Sequence, residues 1–146
     1  MRRSPRISLS IALVVILMTV AAAHSATAMT VREHRLLVLV NDYRARHGLP
    51  RLRADRDVTY SAHRHSLRMA QANTLFHTSD LRSVVGSGAT CGGENIAKAR
   101  RVRSIFRLWA ASAPHRANML TTCYRRTGVG IVRARGYLWA TIIFYG

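Results

Sequence analysis

"SAPHRANML", residues 112–120, sets a histidine and an arginine side by side just inside a proline, at the head of a short apolar run. Ser112 is a capping residue type and Pro114 suits a first helical turn, so the stretch predicts a short helix ending near Leu120. A solvated turn has no need of Met119 and Leu120, and a plain core helix has no need of His115 and Arg116. The surrounding chain has to supply a reason for both.

Immediately upstream, Val102, Ile105, Phe106 and Trp109 recur at i, i+3, i+4 and i+7, with Arg100, Arg103 and Arg107 on the other side, and predict an amphipathic helix. Downstream, "GVGIVR" (128–133) and "YLWATIIFY" (137–145) read as two strands joined by "ARG", with Gly136 free to take a positive φ in a hairpin turn. At the other end, Thr30 and Glu33 form a capping box for a helix carrying Leu36, Val40 and Tyr43, which Gly48 and Pro50 close. Asp55 or Asp57 can cap a second helix to about Asn73, with Val58, Ala62, Met69 and Ala70 inward. Between Leu75 and Ala99 the periodicity fails, and "HTSD", "GSG" and "CGG" predict a long connection, of the kind that is usually either functional or wrongly assigned. Helices followed by a terminal sheet imply an α+β layered domain.

The first 28 residues stand apart. Arg2, Arg3 and Arg6 precede the apolar run Ile11–Val20, and "ATA" at 26–28 fits a small-x-small cleavage rule, so residues 1–28 read as a secretory signal peptide. Cleavage after Ala23 is the other option. The rival reading is an uncleaved membrane anchor, although Ile7–Ala23 falls short of the ~20 residues of a spanning helix. Residues 29–146 then form one domain, with no room for two.

Of 23 basic residues, 22 are arginine and only Lys98 is lysine; without the three arginines of the head, the remainder carries a net charge of +14. The arginines are spread along the chain with no interleaved aromatics to stack bases, which argues against nucleic acid. Attraction to an acidic cell envelope, or solubility alone, accounts for them better. Cys91 and Cys123, an even count in an exported domain, favour a disulfide over a catalytic thiol.

Few residues can do chemistry. The acids are Glu33, Asp42, Asp55, Asp57, Asp80 and Glu94. Capping explains Glu33, Asp55 and Asp57; Asp42 lies on the exposed side of its helix and Asp80 in a turn. Glu94, in "CGGENI", has no such duty. Among the histidines, His34 and His47 flank the first helix and read as solvated, while His63 and His65 lie on the second, His65 as a satisfied half-buried residue. His77 follows an apolar pair at a helix exit. His77, Glu94 and His115 are separated by 17 and 21 positions, which matches no local metal-ligand spacing.

Taken in order, "LVNDYRARHGLPRLRAD", "SAHRHSLRMA", "LFHTSD", "GENIA", "SAPHRANML" and "TGVGIVRARGYLWATIIFYG" resemble the CAP superfamily of cysteine-rich secretory, antigen-5 and pathogenesis-related proteins, in its short bacterial secreted branch. The resemblance spans about Val31 to Gly146. It implies a three-layer α-β-α sandwich with a central cavity and the C-terminal hairpin in its sheet. It also implies that His77, Glu94 and His115 share a cleft, with Asn95, Arg116, Asn118 and Trp109 in support. Many eukaryotic relatives place a second glutamate three residues after a tryptophan; here Trp109 is followed at that distance by Ser112. Relatives without the full tetrad are described as having no settled enzymatic role.

On this reading His115 faces the cleft while Met119 and Leu120 anchor the helix. Arg116 points outward or binds a carbonyl, and its charge lowers the pKa of the neighbouring imidazole. A 91–123 disulfide would clamp two of the three site segments.

Three functions follow from the resemblance and the charge. The favoured one is a secreted, non-catalytic module that binds a small molecule, a lipid or an envelope polymer. The second is a metal-dependent, peptidase-like hydrolase in which His77, His115 and Glu94 hold zinc or another divalent metal and leave a position for water. The third is a cationic protein held on anionic envelope polymers.

Overall fold

A capping box starts α1 (Val31–Arg46): Thr30 Oγ1 accepts from the Glu33 N–H at 3.3 Å, and the Glu33 carboxylate accepts from the Thr30 N–H at 2.7 Å. Glu33 does more than cap. Its second oxygen takes the Ile131 N–H at 2.9 Å and the ring of His63 at 3.0 Å, tying the helix to the sheet. Burial raises the pKa of this carboxyl, but the hydrogen bonds from His63, Thr30 and Ile131 outweigh it and hold the group below its ordinary value. Asp55, not Asp57, caps α2 (Arg56–Ala72), accepting from the N–H groups of Asp57 and Val58, and Asn73 ends the helix with φ of 51°. These positions come from a computed structural model that describes residues 29–146; the signal segment expected over 1–28 lies outside the described residues.

The stretch 75–99 corrects the sequence reading. It is not one long connection but holds α3 (Leu81–Val85), capped by Asp80, and β2 (Gly92–Ala99). A two-residue strand, β1 (Arg53–Ala54), was also not expected. Beyond these lie α4 (Val102–Ala111), α5 (Ala113–Leu120), β3 (Arg126–Ala134) and β4 (Tyr137–Tyr145). The sheet runs β1-β3-β4-β2, with β1 parallel to β3 and the other pairs antiparallel. Arg135 and Gly136 both have positive φ, 51° and 77°, the mirror-image turn that suits a two-residue hairpin.

Two helical layers enclose this sheet. Leu138, Ala140, Ile142 and Phe144 of β4 face the large core built with Leu36 and Val40 of α1, Ile105 and Trp109 of α4 and Met119 of α5. The alternate residues Trp139 and Ile143 pack against α2, through Met69, Ala70, Val58 and Ala62. Burial on both faces is why β4 reads as a continuous apolar run. The fold is an α+β sandwich of three layers. No helix among the described residues is long and apolar enough to cross a membrane.

Cys91, just before β2, is disulfide-bonded to Cys123, in the loop after α5. Closing a loop of 32 residues stabilises the fold by about 3–4 kcal/mol in the chain-entropy account. It also ties the edge strand to the helix that carries His115.

Candidate functional site

The site forms where β2 meets the end of α2 and the start of α5. Successive residues of a strand point to opposite faces. Glu94 therefore shares a face with its partner Ile143 and looks toward α2, while Asn95, opposite Ile142, looks toward α5.

On the α2 side, His65 is fully buried and prepares the segment that follows the helix. Its Nε2 lies 2.7 Å from the Phe76 carbonyl, which can only accept, so this nitrogen carries the proton. Nδ1 then accepts from Arg68 at 3.0 Å. The fixed ring holds Phe76, and with it the next residue. His77 Nδ1 sits 2.7 Å from Glu94 Oε1, an oxygen that also takes the Thr78 N–H at 3.0 Å. The Thr78 hydroxyl donates to Oε2 at 2.5 Å. Since the carboxylate accepts, His77 donates from Nδ1 and turns its Nε2 edge outward; its side chain is 62% exposed, that of Glu94 only 5%.

On the α5 side, buried Asn95 donates to the His115 carbonyl at 2.9 Å. Asn118 donates to Asn95 Oδ1 at 3.0 Å and to the Glu94 carbonyl at 3.1 Å. Trp109 adds a bond from its indole to the Ile96 carbonyl at 3.0 Å, joining α4 to the same strand. Arg116 binds the Ala110 carbonyl at 3.1 Å, one of the two roles expected of it. The His115 ring is held by Ser112: Nδ1 lies 2.8 Å from the serine Oγ. Ser112 is the N-cap residue of α5, as expected, although its side chain makes no capping bond.

The residues that would carry chemistry thus meet at the sheet edge, with a specific limit. His77 and Glu94 are in direct contact, whereas His115 is tied to the same strand through its backbone and makes no hydrogen bond to the carboxylate among the described residues. A zinc site with His77, Glu94 and His115 all as direct ligands does not fit this arrangement. Both oxygens of Glu94 are engaged by neighbours, and among the described residues no three His, Cys, Asp or Glu side chains are grouped to hold a metal ion. His77 and His115 remain as two imidazoles, the first oriented from behind by a carboxylate as metal-binding histidines commonly are.

Most of the described chain carries a family signature. A family model, CAP, the cysteine-rich secretory protein family, matches residues 37–144. The chain belongs to this family. An uncharacterized Bacillus subtilis protein, YkwD, is 30% identical to this CAP chain over 115 residues, covering 73% of this chain and 44% of YkwD. Among solved structures, an outer surface protein of Borrelia burgdorferi superposes with a TM-score of 0.73 at 13% identity, over 82% of this chain and 95% of that one. An extracellular SCP-domain protein of Bacillus anthracis gives 0.69 at 28% identity, over 78% of this chain and 40% of that one. The chain therefore spans less than half the length of these two Bacillus relatives.

Three residues play parts in the candidate site that the sequence did not assign to them. His65 was read as a satisfied residue, which it is, but its hold on Phe76 is what seats His77. Thr78 follows His77 directly and gave no signal of its own. Ser112 did: the resemblance sets it where many relatives carry a second glutamate, and its hydroxyl is the group that touches His115.

Burial and the charge of His77 push the His115 imidazole below its ordinary pKa. The expected cause, Arg116, is replaced by these two. Folding thus favours the neutral ring: the contribution is complete above the unfolded ring's pKa, about 6.5, and is lost as pH falls through the lower folded value. Histidine proton NMR should show His115 titrating below the value of a free ring. His77→Ala should move it upward, and an unmoved midpoint would separate the two rings.

Proposed function

We propose that this CAP domain is exported and acts as a non-catalytic extracellular binding module, with the outward Nε2 edges of His77 and His115 as its recognition groups. The observation that carries this reading is the engagement of Glu94. Its two oxygens receive His77, the Thr78 N–H and the Thr78 hydroxyl, so the carboxylate orients an imidazole instead of standing free as a general base. A hydrolase needs a base within reach of the attacking water, and Ser112 stands where a second acid would be. His77 Nε2 is thereby a fixed acceptor on an exposed ring, suited to a ligand with a hydrogen-bond donor, and His115 Nε2 donates or accepts according to how the Ser112 hydroxyl turns. A divalent metal would have only the two imidazoles to use, and would there supply a Lewis-acid centre for ligand binding. The likeness to an extracellular Bacillus protein and to a Borrelia outer surface protein supports export, as does the positive, apolar, small-residue pattern of residues 1–28.

The test is an assay of peptide hydrolysis by the purified protein, with and without added zinc, beside Glu94→Gln. Both proteins are expected to show the same background. Turnover abolished in the glutamine variant would overturn the non-catalytic reading. Mass spectrometry of the culture medium checks export, with a chain beginning at Met29 or His24 as the expected species.

A further inference from the structure

The described arginines are not all partnered alike. Arg51, Arg56 and Arg126 pair with aspartates, and Arg44, Arg116 and Arg125 donate to carbonyls. Six others, Arg32 and Arg35 from the first turns of α1, Arg100 and Arg101 before α4, Arg103 in its first turn and Arg133 near the end of β3, line a single cavity of about 380 Å³. None of these six guanidinium groups forms a salt bridge or a side-chain hydrogen bond among the described residues; Arg100 stacks over the Tyr137 ring at 5.5 Å. The acid nearest in sequence, Glu33, is buried and faces the sheet, bound to Thr30, His63 and Ile131.

The backbone adds to this charge. Arg101 is the N-cap of α4 and makes no side-chain capping bond, so the first-turn N–H groups of Val102 and Arg103 have no capping partner. The positive end of a ten-residue helix therefore opens at the same cavity. Leu138 and Val102 supply an apolar floor, and both are buried. Like charges gathered around a concave surface repel one another, and a counter-anion removes that cost. Guanidinium forks match phosphate oxygens in pairs, and helix N-termini take the same group.

We infer that this cavity is a receptor for ligands carrying several phosphate groups in a row. It lies at the N-terminal ends of α1 and α4, built from residues different from those around Glu94. Six cations and a helix end are more than a single monoanion needs; they match closely spaced phosphates, free or in the headgroups of a surface.

The experiment compares two double variants of equal charge. Arg101→Gln/Arg133→Gln removes two cavity arginines, and Arg53→Gln/Arg82→Gln removes two exposed arginines that do not line it. Calorimetry with inorganic tripolyphosphate in about 50 mM salt should show saturable binding that weakens steeply at about 300 mM. The cavity variant should bind about tenfold more weakly than the parent or worse, roughly 1.4 kcal/mol, and the other within about twofold of the parent. Sedimentation with phosphatidylglycerol vesicles, against phosphatidylcholine controls, assigns the source. Vesicle binding displaced by tripolyphosphate places headgroups in the cavity, and tripolyphosphate binding without vesicle binding identifies a soluble polymer; either supports the inference. Equal losses in both variants mean diffuse attraction by net charge, and no binding in low salt means no receptor. Either result overturns it.

Discussion

Gly130→Ala is expected to leave the protein unfolded at room temperature. On β3, Val129 and Ile131 point into the large core, so Gly128 and Gly130 point at α2. A Cβ at 130 would fall within the backbone of Ala62 and His63, and one at 128 within that of Val58 and Thr59. Backbone cannot swing aside as a flexible side chain can. To admit one methyl group, α2 would have to lift from the sheet and uncover Val58, Ala62 and Met69. It would also stretch the bond from the Ser66 hydroxyl to the Gly130 carbonyl and the bond between the Ser66 and Thr141 hydroxyls, both 2.9 Å long. Overpacking of side chains costs typically 1–3 kcal/mol. A collision with a helix backbone belongs to the exceptional range above about 4–5 kcal/mol, comparable with the whole stability of a small domain. Circular dichroism and denaturant melts measure it, with Gly88→Ala, whose new Cβ meets nothing, expected within about 0.5 kcal/mol of the parent. A Gly130→Ala protein melting with the parent would mean that α2 does not rest on this strand.

The second large effect is expected at Arg44, a fully buried guanidinium that forms no salt bridge among the described residues. It donates to the carbonyls of Pro50 at 3.0 Å, Met119 at 2.8 Å, Thr121 at 3.0 Å and Tyr124 at 3.4 Å. Burial and the neighbouring charge of Arg125 both lower its pKa from its usual high value. Four acceptors make the buried charge tolerable. Methionine would fill much of the volume and remove the charge, yet each buried carbonyl left without a donor costs about 1–3 kcal/mol. Arg44→Met should therefore lose about 4 kcal/mol. It should also loosen the C-terminal end of α5, where Met119 and Thr121 lie, and so disturb His115. Histidine NMR at a temperature where the variant is still folded would read that disturbance. A loss under about 1 kcal/mol would show that relief of the buried charge matches the orphaned carbonyls.

Much of this architecture could be read from residues alone, for identifiable reasons. Helices α1 and α2 carry both a capping or stop signal and an apolar stripe at helical spacing, and α4 carries the stripe. The hairpin β3–β4 carries β-branched residues on either side of a glycine turn. β2 had neither kind of signal. "GGENIAKA" is poor in strand-forming residues, and it is a strand because all eight of its residues pair with β4. Strand preference of this sort comes from the neighbours supplied by the fold. The site followed the same division. His77, Glu94 and His115 were legible by scarcity and by the family resemblance, and Asn95 and Asn118 were named as supports. His65 and Thr78 took their roles only from distances that no spacing encodes; Ser112 was marked by its place three residues after Trp109, but its contact with His115 was not. Arg44 was missed altogether, since an arginine in a chain with 22 of them gives no sign that it is buried.

The order of strands has a consequence for the birth of the molecule. β4 lies between β3 and β2, yet it follows every other element in the chain. A ribosome therefore delivers the keystone of the sheet last, and until then β2 has no neighbour to pair with. Under the export proposed above, such lateness would hold the polypeptide slack until its passage is complete.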